Sequence, residues 1–383
     1  MKVPQFLPYI GDHEYRAISS CFEDNWITEG PKAKVFSEKL LELTGAKYGV
    51  FAPNGTLAIY LALKAAGIGQ GDKVIVPDFT FIGTANAVEM TGAIPVFADV
   101  NKENFQIDVS KAGGLVTSQT KAIIPVHIYG TSANMKEVMD FANKHKLKVI
   151  EDAAQAIGIH YKKKHTGTFG DAGCFSFFAD KTITTGEGGF IVTDDEHIYN
   201  QLLYLRNQGR KDRGTFIHPE IGYNFRMTDI QCAIGLAQLE KLAEIKNLKN
   251  EILKQYKNGL STVDEVSFFI EEKNADFIPF RVGILCLGNV GTLHATSIHS
   301  RAQKLMEYMK IKGIEPRTFF YPLHRQPCYV KHPSMKKREM DDSLFPNAIY
   351  GYEHGICLPT FPSLTKEQIN YVCNTIKSFY AKK

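Results

Sequence analysis

Residues 48–98 read YGVFAPNGTLAIYLALKAAGIGQGDKVIVPDFTFIGTANAVEMTGAIPVFA. The apolar run Tyr48–Ala52 predicts a short strand, and a Pro-Asn-Gly turn signal follows at 53–55. The pattern then predicts a helix over Thr56–Ala66, a strand over Val74–Val76, a helix over Thr84–Met90 and a strand over Ile94–Ala98. The same alternation runs outward: a strand at Ala122–His127, a helix at Asn134–Lys144, a strand at Lys148–Glu151. Phe169–Phe178 and Phe190–Thr193 complete the set. Strands that alternate with helices predict an α/β fold with a mostly parallel central sheet covered on both faces. Ligands bind such sheets at the C-terminal ends of the strands, so the loops there are the place to look for chemistry.

Upstream, residues 13–24 and Val35–Leu43 predict helices, separated by a loop, Asn25–Pro31, that carries the only tryptophan, Trp26. Downstream, Glu196–Asn207 predicts a helix, Gln208–Tyr223 a polar irregular segment, and Thr228 to about Tyr256 one long helix with cap residues at its start. Beyond residue 260 the pattern changes to strands (Val266–Ile270, Phe280–Leu287) and helices (Ala302–Lys312, Lys366–Tyr380). The expected division is a large α/β domain over 1–250 and a smaller C-terminal α+β domain over 251–383. A chain of 383 residues is longer than one ordinary core accommodates, which agrees with two domains.

Hydrophobic residues make up 44% and charged residues 22%, the balance of a soluble globular chain. The net charge of +4 is spread out, and no basic tract argues for nucleic acid. Lys162-Lys163-Lys164 and Lys336-Lys337-Arg338 read as solvated turns. The opening MKVPQFLPYIGDHEYR has no signal-peptide apolar region, and no run approaches the roughly 18 to 20 apolar residues of a membrane span. Seven scattered cysteines without a CxxC pair fit reduced thiols and argue against a disulfide framework or a structural zinc. The expectation is a cytoplasmic protein that uses no metal and binds neither membrane nor nucleic acid.

Four loops carry candidate chemistry. CFSFFADKTITTGEGG at 174–189 places Lys181 between two apolar strands. Partial desolvation there lowers an amine's proton affinity and makes it a Schiff-base nucleophile; the alternative is a solvated loop lysine. Gly55 and Thr56 open a helix, where free N–H groups favour a phosphate, or they form an ordinary cap. Asp152 follows a buried strand, so it either needs a cationic partner inside or caps a helix facing water. Phe79 and Phe81 could stack on a flat ring or fill core. His127 and Tyr129, in HIYG, could line a pocket, although a histidine there is more often structural. As a set, a lysine, an aspartate, an aromatic and a phosphate cradle at strand ends are what pyridoxal 5′-phosphate requires.

An ordered series of motifs then points to a family: NGT at 54–56, PDFTF at 77–81, PVHIYG at 125–130, EDAAQA at 151–156 and GTFGDAGCFSFFADKTITTGEGG at 167–189. GYNFRMTDIQCAIGLAQLEK at 222–241, RTFFYPLHRQPCY at 317–329 and LPTFPSLT at 358–365 continue it. The chain resembles the nucleotide-sugar aminotransferases of the DegT/DnrJ/EryC1/StrS family, within fold-type I of the pyridoxal phosphate enzymes, over nearly its whole length. The resemblance implies that Lys181 holds the cofactor aldehyde, that Asp152 pairs with the ring nitrogen, that Gln155 contacts the ring hydroxyl and that Phe81 stacks on the ring. It implies a phosphate site of Gly55, Thr56, Ser176 and Asn224, the last supplied by a neighbouring subunit, hence a homodimer with shared sites.

A branch of the family has histidine in place of the lysine and dehydrates; Lys181 therefore implies transamination. L-Glutamate would give its amine to the cofactor, leaving pyridoxamine 5′-phosphate, and a keto-sugar nucleotide would then accept it. The nearest likeness is to the perosamine-synthase-like branch, which aminates C4 of a 4-keto-6-deoxyhexose to perosamine- or viosamine-type products. Gln155 stands where several of that branch have glutamate, and Phe277–Val282 departs from its aromatic stretch. Those departures leave open the nucleotide (GDP, UDP or dTDP) and C3 amination, and a non-catalytic sensor is a further alternative. Arg281 is a candidate diphosphate contact by its bidentate guanidinium or else a surface strand arginine. Arg317 and His324 would line the sugar end by resemblance, and Trp26 completes the candidate substrate residues.

Overall fold

The computed structural model describes residues 1–210, 214, 216–287, 300–334 and 337–381. Part of the predicted irregular segment Gln208–Tyr223, and Lys336 of the basic turn at 336–338, lie outside the described residues. The main sheet is built from β1 (Tyr48–Ala52), β2 (Lys73–Pro77), β3 (Ile94–Ala98), β4 (Thr120–Ile123) and β5 (Lys148–Asp152). A small hairpin, β6 (His160–Tyr161) and β7 (Lys164–His165), stands apart, and β8 (Ala172–Ser176) and β9 (Gly189–Thr193) complete the main sheet. Its order is β1-β9-β8-β5-β4-β2-β3. All pairings are parallel except those of β9, which runs antiparallel to β1 and β8. Residues 74–77 of β2 and all of β8 and β9 are buried, as strands covered on both faces must be.

The α/β reading holds, with two local differences in the elements that it named. The strand over Ala122–His127 is cut short at Ile123. Pro125 has no N–H to give the ladder, and the chain continues beside β5 through the Val126–Asp152 bridge, with Asp152 N donating to Pro125 O and His127 N to Asp152 O. The long helix from Thr228 is two helices, Asp229–Glu240 and Leu242–Gly259, meeting at Lys241 (φ −91°, ψ 1°). The bend lets the first pack on the N-terminal helices Asp12–Glu23 and Pro31–Thr44 and the second on the C-terminal helix Lys366–Ala381. Lys241 is held there by Glu14 at 2.5 Å.

A second, antiparallel sheet has the order β10-β11-β13-β12, from β10 (Val266–Phe268), β11 (Val282–Cys286), β12 (Arg317–Thr318) and β13 (Gly355–Leu358). The short strands β12 and β13 carry too few residues for a period-2 signal. Residue 250 lies inside the helix Leu242–Gly259, and Val3 bridges Ile314 and packs in the core of this second sheet. No helix among the described residues is long and apolar enough to cross a membrane. All seven cysteines are free thiols, with only Cys328 exposed.

Candidate active site

A cavity of 670 Å³ opens at the C-terminal ends of the parallel strands and is closed on the far side by the second sheet. The main sheet contributes residues that follow β1, β2, β5 and β8; the second sheet contributes Arg317, Thr318 and Cys357, with Phe280 and Arg281 just before β11 and Phe320 just after β12.

After β1, Asn54 caps the helix Gly55–Ala65, its side chain accepting from Leu57 N. The amides of Gly55 and Thr56 are first-turn N–H groups with no acceptor inside the helix. A Cβ on Gly55 would stand 2.8 Å from Ser176 Cβ and 3.2 Å from Ser176 Oγ. Glycine thus keeps open a cradle between a helix N-terminus and a serine hydroxyl, the geometry that takes a phosphate.

Asp152 ends β5 and is 6% exposed. Its Oδ2 accepts from Thr84 Oγ1 at 2.7 Å and its Oδ1 from Ala154 N at 3.1 Å, so the carboxylate is aimed by two donors and retains lone pairs toward the cavity. Gln155 Oε1 accepts from Tyr129 N at 2.7 Å, which leaves its amide N–H₂ free to donate. Phe81 is 59% exposed, an open aromatic face on the cavity wall. Tyr129 stacks on Phe320, ring centroids 5.4 Å apart and planes inclined by 11°. The turn it occupies is tied to the segment that leads into β11, with Ile278 N donating to Gly130 O and Phe280 N to Tyr129 O. Gly130 (φ +92°) allows this, because a Cβ there would lie 1.8 Å from the Ile278 carbonyl.

Lys181 sits in the loop between β8 and β9. That loop is closed by Phe177 N donating to Gly188 O and Thr185 N to Phe177 O, and it is anchored through Thr184 to Gln238. The amine lies 4.7 Å from the Phe280 ring centroid. Burial lowers its proton affinity, the charges of Asp180 and Asp152 raise it, and Arg281 lowers it, with a net lowering. The lysine lines the same cavity as Asp152.

The cavity therefore gathers Gly55, Thr56, Phe81, Tyr129, Asp152, Gln155, Ser176, Lys181, Arg281 and Arg317. Four other sequence candidates stand elsewhere. His127 is buried below it, with Nε2 2.9 Å from Glu151 and Nδ1 accepting from Ala133 N. His324 is buried between Asp78 (2.7 Å) and Asp342 (3.1 Å) and stacks on Phe345. Both rings are engaged on both nitrogens, so neither offers an atom to this cavity. Asn224 bridges Asn207, with its Oδ1 accepting from Arg226. Trp26 lines a separate cavity with Glu29, Arg206, Arg210 and Arg226. Arg281 is inside but is already paired with Asp180 at 2.5 Å, so Arg317, which stacks on Phe6, is the more available cation. Sequence reading missed Thr84, Asp180 and Phe280. Asp180 and Phe280 adjoin residues it did choose; Thr84 opens a predicted helix and gave no signal of its own.

These residues fit pyridoxal 5′-phosphate. The glycine-kept cradle suits the phosphate, Asp152 a protonated ring nitrogen, Phe81 the ring face and Lys181 the aldehyde. The profile of the DegT/DnrJ/EryC1/StrS aminotransferase family matches residues 8–377. The chain belongs to that family. As a DegT/DnrJ/EryC1/StrS aminotransferase, it has pyridoxal 5′-phosphate as its cofactor. It is 38% identical to a GDP-perosamine synthase of Escherichia coli O157:H7, covering 100% of this chain and 99% of that protein. It is 34% identical to a GDP-perosamine synthase of Vibrio cholerae, covering 99% of each. Among solved structures it resembles S. venezuelae DesV in complex with a ketimine intermediate, with a TM-score of 0.87, 26% identity and 100% and 99% of the two chains covered. A family aminotransferase from Brucella abortus gives a TM-score of 0.84 at 27% identity, over 97% and 96%.

Proposed function

We propose that this aminotransferase moves the amino group of L-glutamate to C4 of a nucleotide-linked 4-keto-6-deoxyhexose, giving a perosamine- or viosamine-type sugar. The observation that carries the reading is Lys181, partly desolvated and facing Asp152 across a cavity that extends to the second sheet. The end-to-end similarity to two GDP-perosamine synthases supports the C4 position.

Gly55, Thr56 and Ser176 would hold the cofactor phosphate. Asp152, oriented by Thr84 and Ala154, would keep a positive charge on the ring nitrogen. Phe81 would cover one ring face and Gln155 would donate to the ring oxygen. When bound, the cofactor carries the amine between the two substrates and spreads the negative charge left on carbon when a C–H bond breaks. Lys181 Nζ, its ammonium disfavoured by burial, serves as the base that takes a proton from carbon, and once protonated as the acid that returns it. Arg317 and Thr318 line the far wall, where the sugar nucleotide would lie.

The active unit in this proposal is a homodimer in the cytoplasm. In support, Asn224 and Trp26 stand outside their own chain's cavity, and the segment before Asn224 exposes Phe216 (88%) and Ile221 (86%). A second copy would receive Asn224 at its phosphate cradle. Mixing a Lys181→Ala chain with an Asn224→Ala chain should restore activity that neither has alone, if sites are shared.

The reaction itself is tested with L-glutamate and GDP-, UDP- and dTDP-linked 4-keto-6-deoxyhexoses, beside a 3-keto isomer, with products read by NMR. An amine at C4 of one nucleotide form is expected. An amine at C3, or no 2-oxoglutarate from any sugar, would sink the proposal, the latter reviving a sensor role.

A further inference from the structure

One buried amine near the cavity has no part in the mechanism above. Lys249 lies on the helix Leu242–Gly259 and is 2% exposed. Its Nζ donates to Pro279 O at 3.3 Å and Phe280 O at 3.4 Å. Those carbonyls belong to the segment that presents Phe280 and Arg281 to the cavity. The Phe280 ring lies 4.7 Å from Lys181 Nζ, 5.0 Å from the Arg281 guanidinium carbon and 5.9 Å from Lys249 Nζ. From the other side, Phe280 N donates to Tyr129 O, so Lys249 supplies the anchor from behind.

We propose that Lys249 is a positioning residue of the reaction: it fixes the Pro279–Arg281 backbone from behind the wall, and so sets the Phe280 ring and the Arg281 guanidinium against Lys181. The inference rests on the reading of Lys181 as the cofactor lysine.

The charge state of Lys249 follows from the same geometry. Burial holds its amine down at about 7; Arg281 and Lys181 push the same way, and Asp180 opposes them. Near neutral pH the amine is therefore partly protonated, and in either state it has the N–H donors that the two carbonyls take. Because Lys249 faces Arg281, Asp180 and Lys181, a positive charge on it disfavours a proton at Lys181.

Two variants of the cofactor-loaded protein separate this role from simple core filling. Lys249→Met keeps the apolar stem and loses the donors and any charge. Lys249→Arg keeps donors and is always charged. The absorbance band of the cofactor held at Lys181 is titrated with pH. Its midpoint should rise by about half a pH unit or more in Lys249→Met and fall in Lys249→Arg. KM for the sugar nucleotide should rise several-fold in Lys249→Met, with a smaller change in kcat, and recover in Lys249→Arg. Midpoints unmoved in both folded variants would overturn the proposal. If Lys249→Met does not fold, Lys249→Arg decides alone: a lowered midpoint supports it, an unmoved or raised one overturns it. Absence of any band that borohydride traps on Lys181 in the wild-type protein would instead remove the cofactor-lysine reading beneath it.

Discussion

Glu151→Gln should cost this protein several kcal/mol. The Glu151 carboxylate is fully buried at the end of β5, one residue before Asp152. Its Oε1 accepts from Phe169 N at 2.6 Å and Gly170 N at 2.7 Å. Its Oε2 accepts from Gly167 N at 2.8 Å and pairs with His127 Nε2 at 2.9 Å. His127 Nδ1 accepts from Ala133 N at 3.1 Å, so the ring's proton is on Nε2. Four donors thus converge on one carboxylate. A glutamine offers one carbonyl oxygen and one N–H₂ group, and whichever way it turns, the N–H₂ faces two N–H donors. A change of His127 tautomer only moves the deficit to Ala133 N. Each buried donor left without an acceptor costs about 1–3 kcal/mol, hence about 2–6 kcal/mol in all. Urea unfolding of the two proteins at equal protein concentration measures it. Cofactor retention should weaken in parallel, because Asp152 is carried by the same strand end. A loss below about 1 kcal/mol would show that the four contacts do not act as this geometry requires.

Gly55→Ala should weaken pyridoxal 5′-phosphate binding about tenfold or more, or ~1.4 kcal/mol, because the new methyl group would fill the cradle at Ser176; absorbance titration of the apoprotein measures it. For His324, burial disfavours the charged ring, but its bonds to the Asp78 and Asp342 carboxylates outweigh it and raise its proton affinity. Its stabilising contribution is full below about pH 6.5 and is lost as pH rises through the raised folded-state value, so the wild-type urea midpoint should fall across that window and that of His324→Gln should not.

Much of the fold was legible because each of β1 to β5 carries a short, mostly buried apolar stretch, with turn residues between the strands. What failed was local. Pro125 ends a ladder inside a run that otherwise reads as strand, and the kink at Lys241 is set by packing partners and by Glu14, which lie far away in sequence. The strands β12 and β13 are too short for any periodicity. At the site, Lys181, Asp152 and Gly55 were legible because their residue types are unusual where they stand. His324 was not, since a ring held between two carboxylates has the same letter as one facing substrate. Thr84 acts through Asp152, and Lys249 acts through two backbone carbonyls of a distant segment; neither contact leaves a spacing to read. Asn224 and Trp26 could be placed in a site only by resemblance, and their own chain's cavity does not contain them.

The central claim is that Lys181 is the residue that holds the cofactor aldehyde. Borohydride reduction of the pyridoxal phosphate-loaded protein, followed by peptide mass mapping, tests it most directly. The account predicts a reduced pyridoxyl group on the peptide containing Lys181, and no covalent label in Lys181→Ala. A label on another lysine, Lys249 included, or label retained by Lys181→Ala, would contradict it.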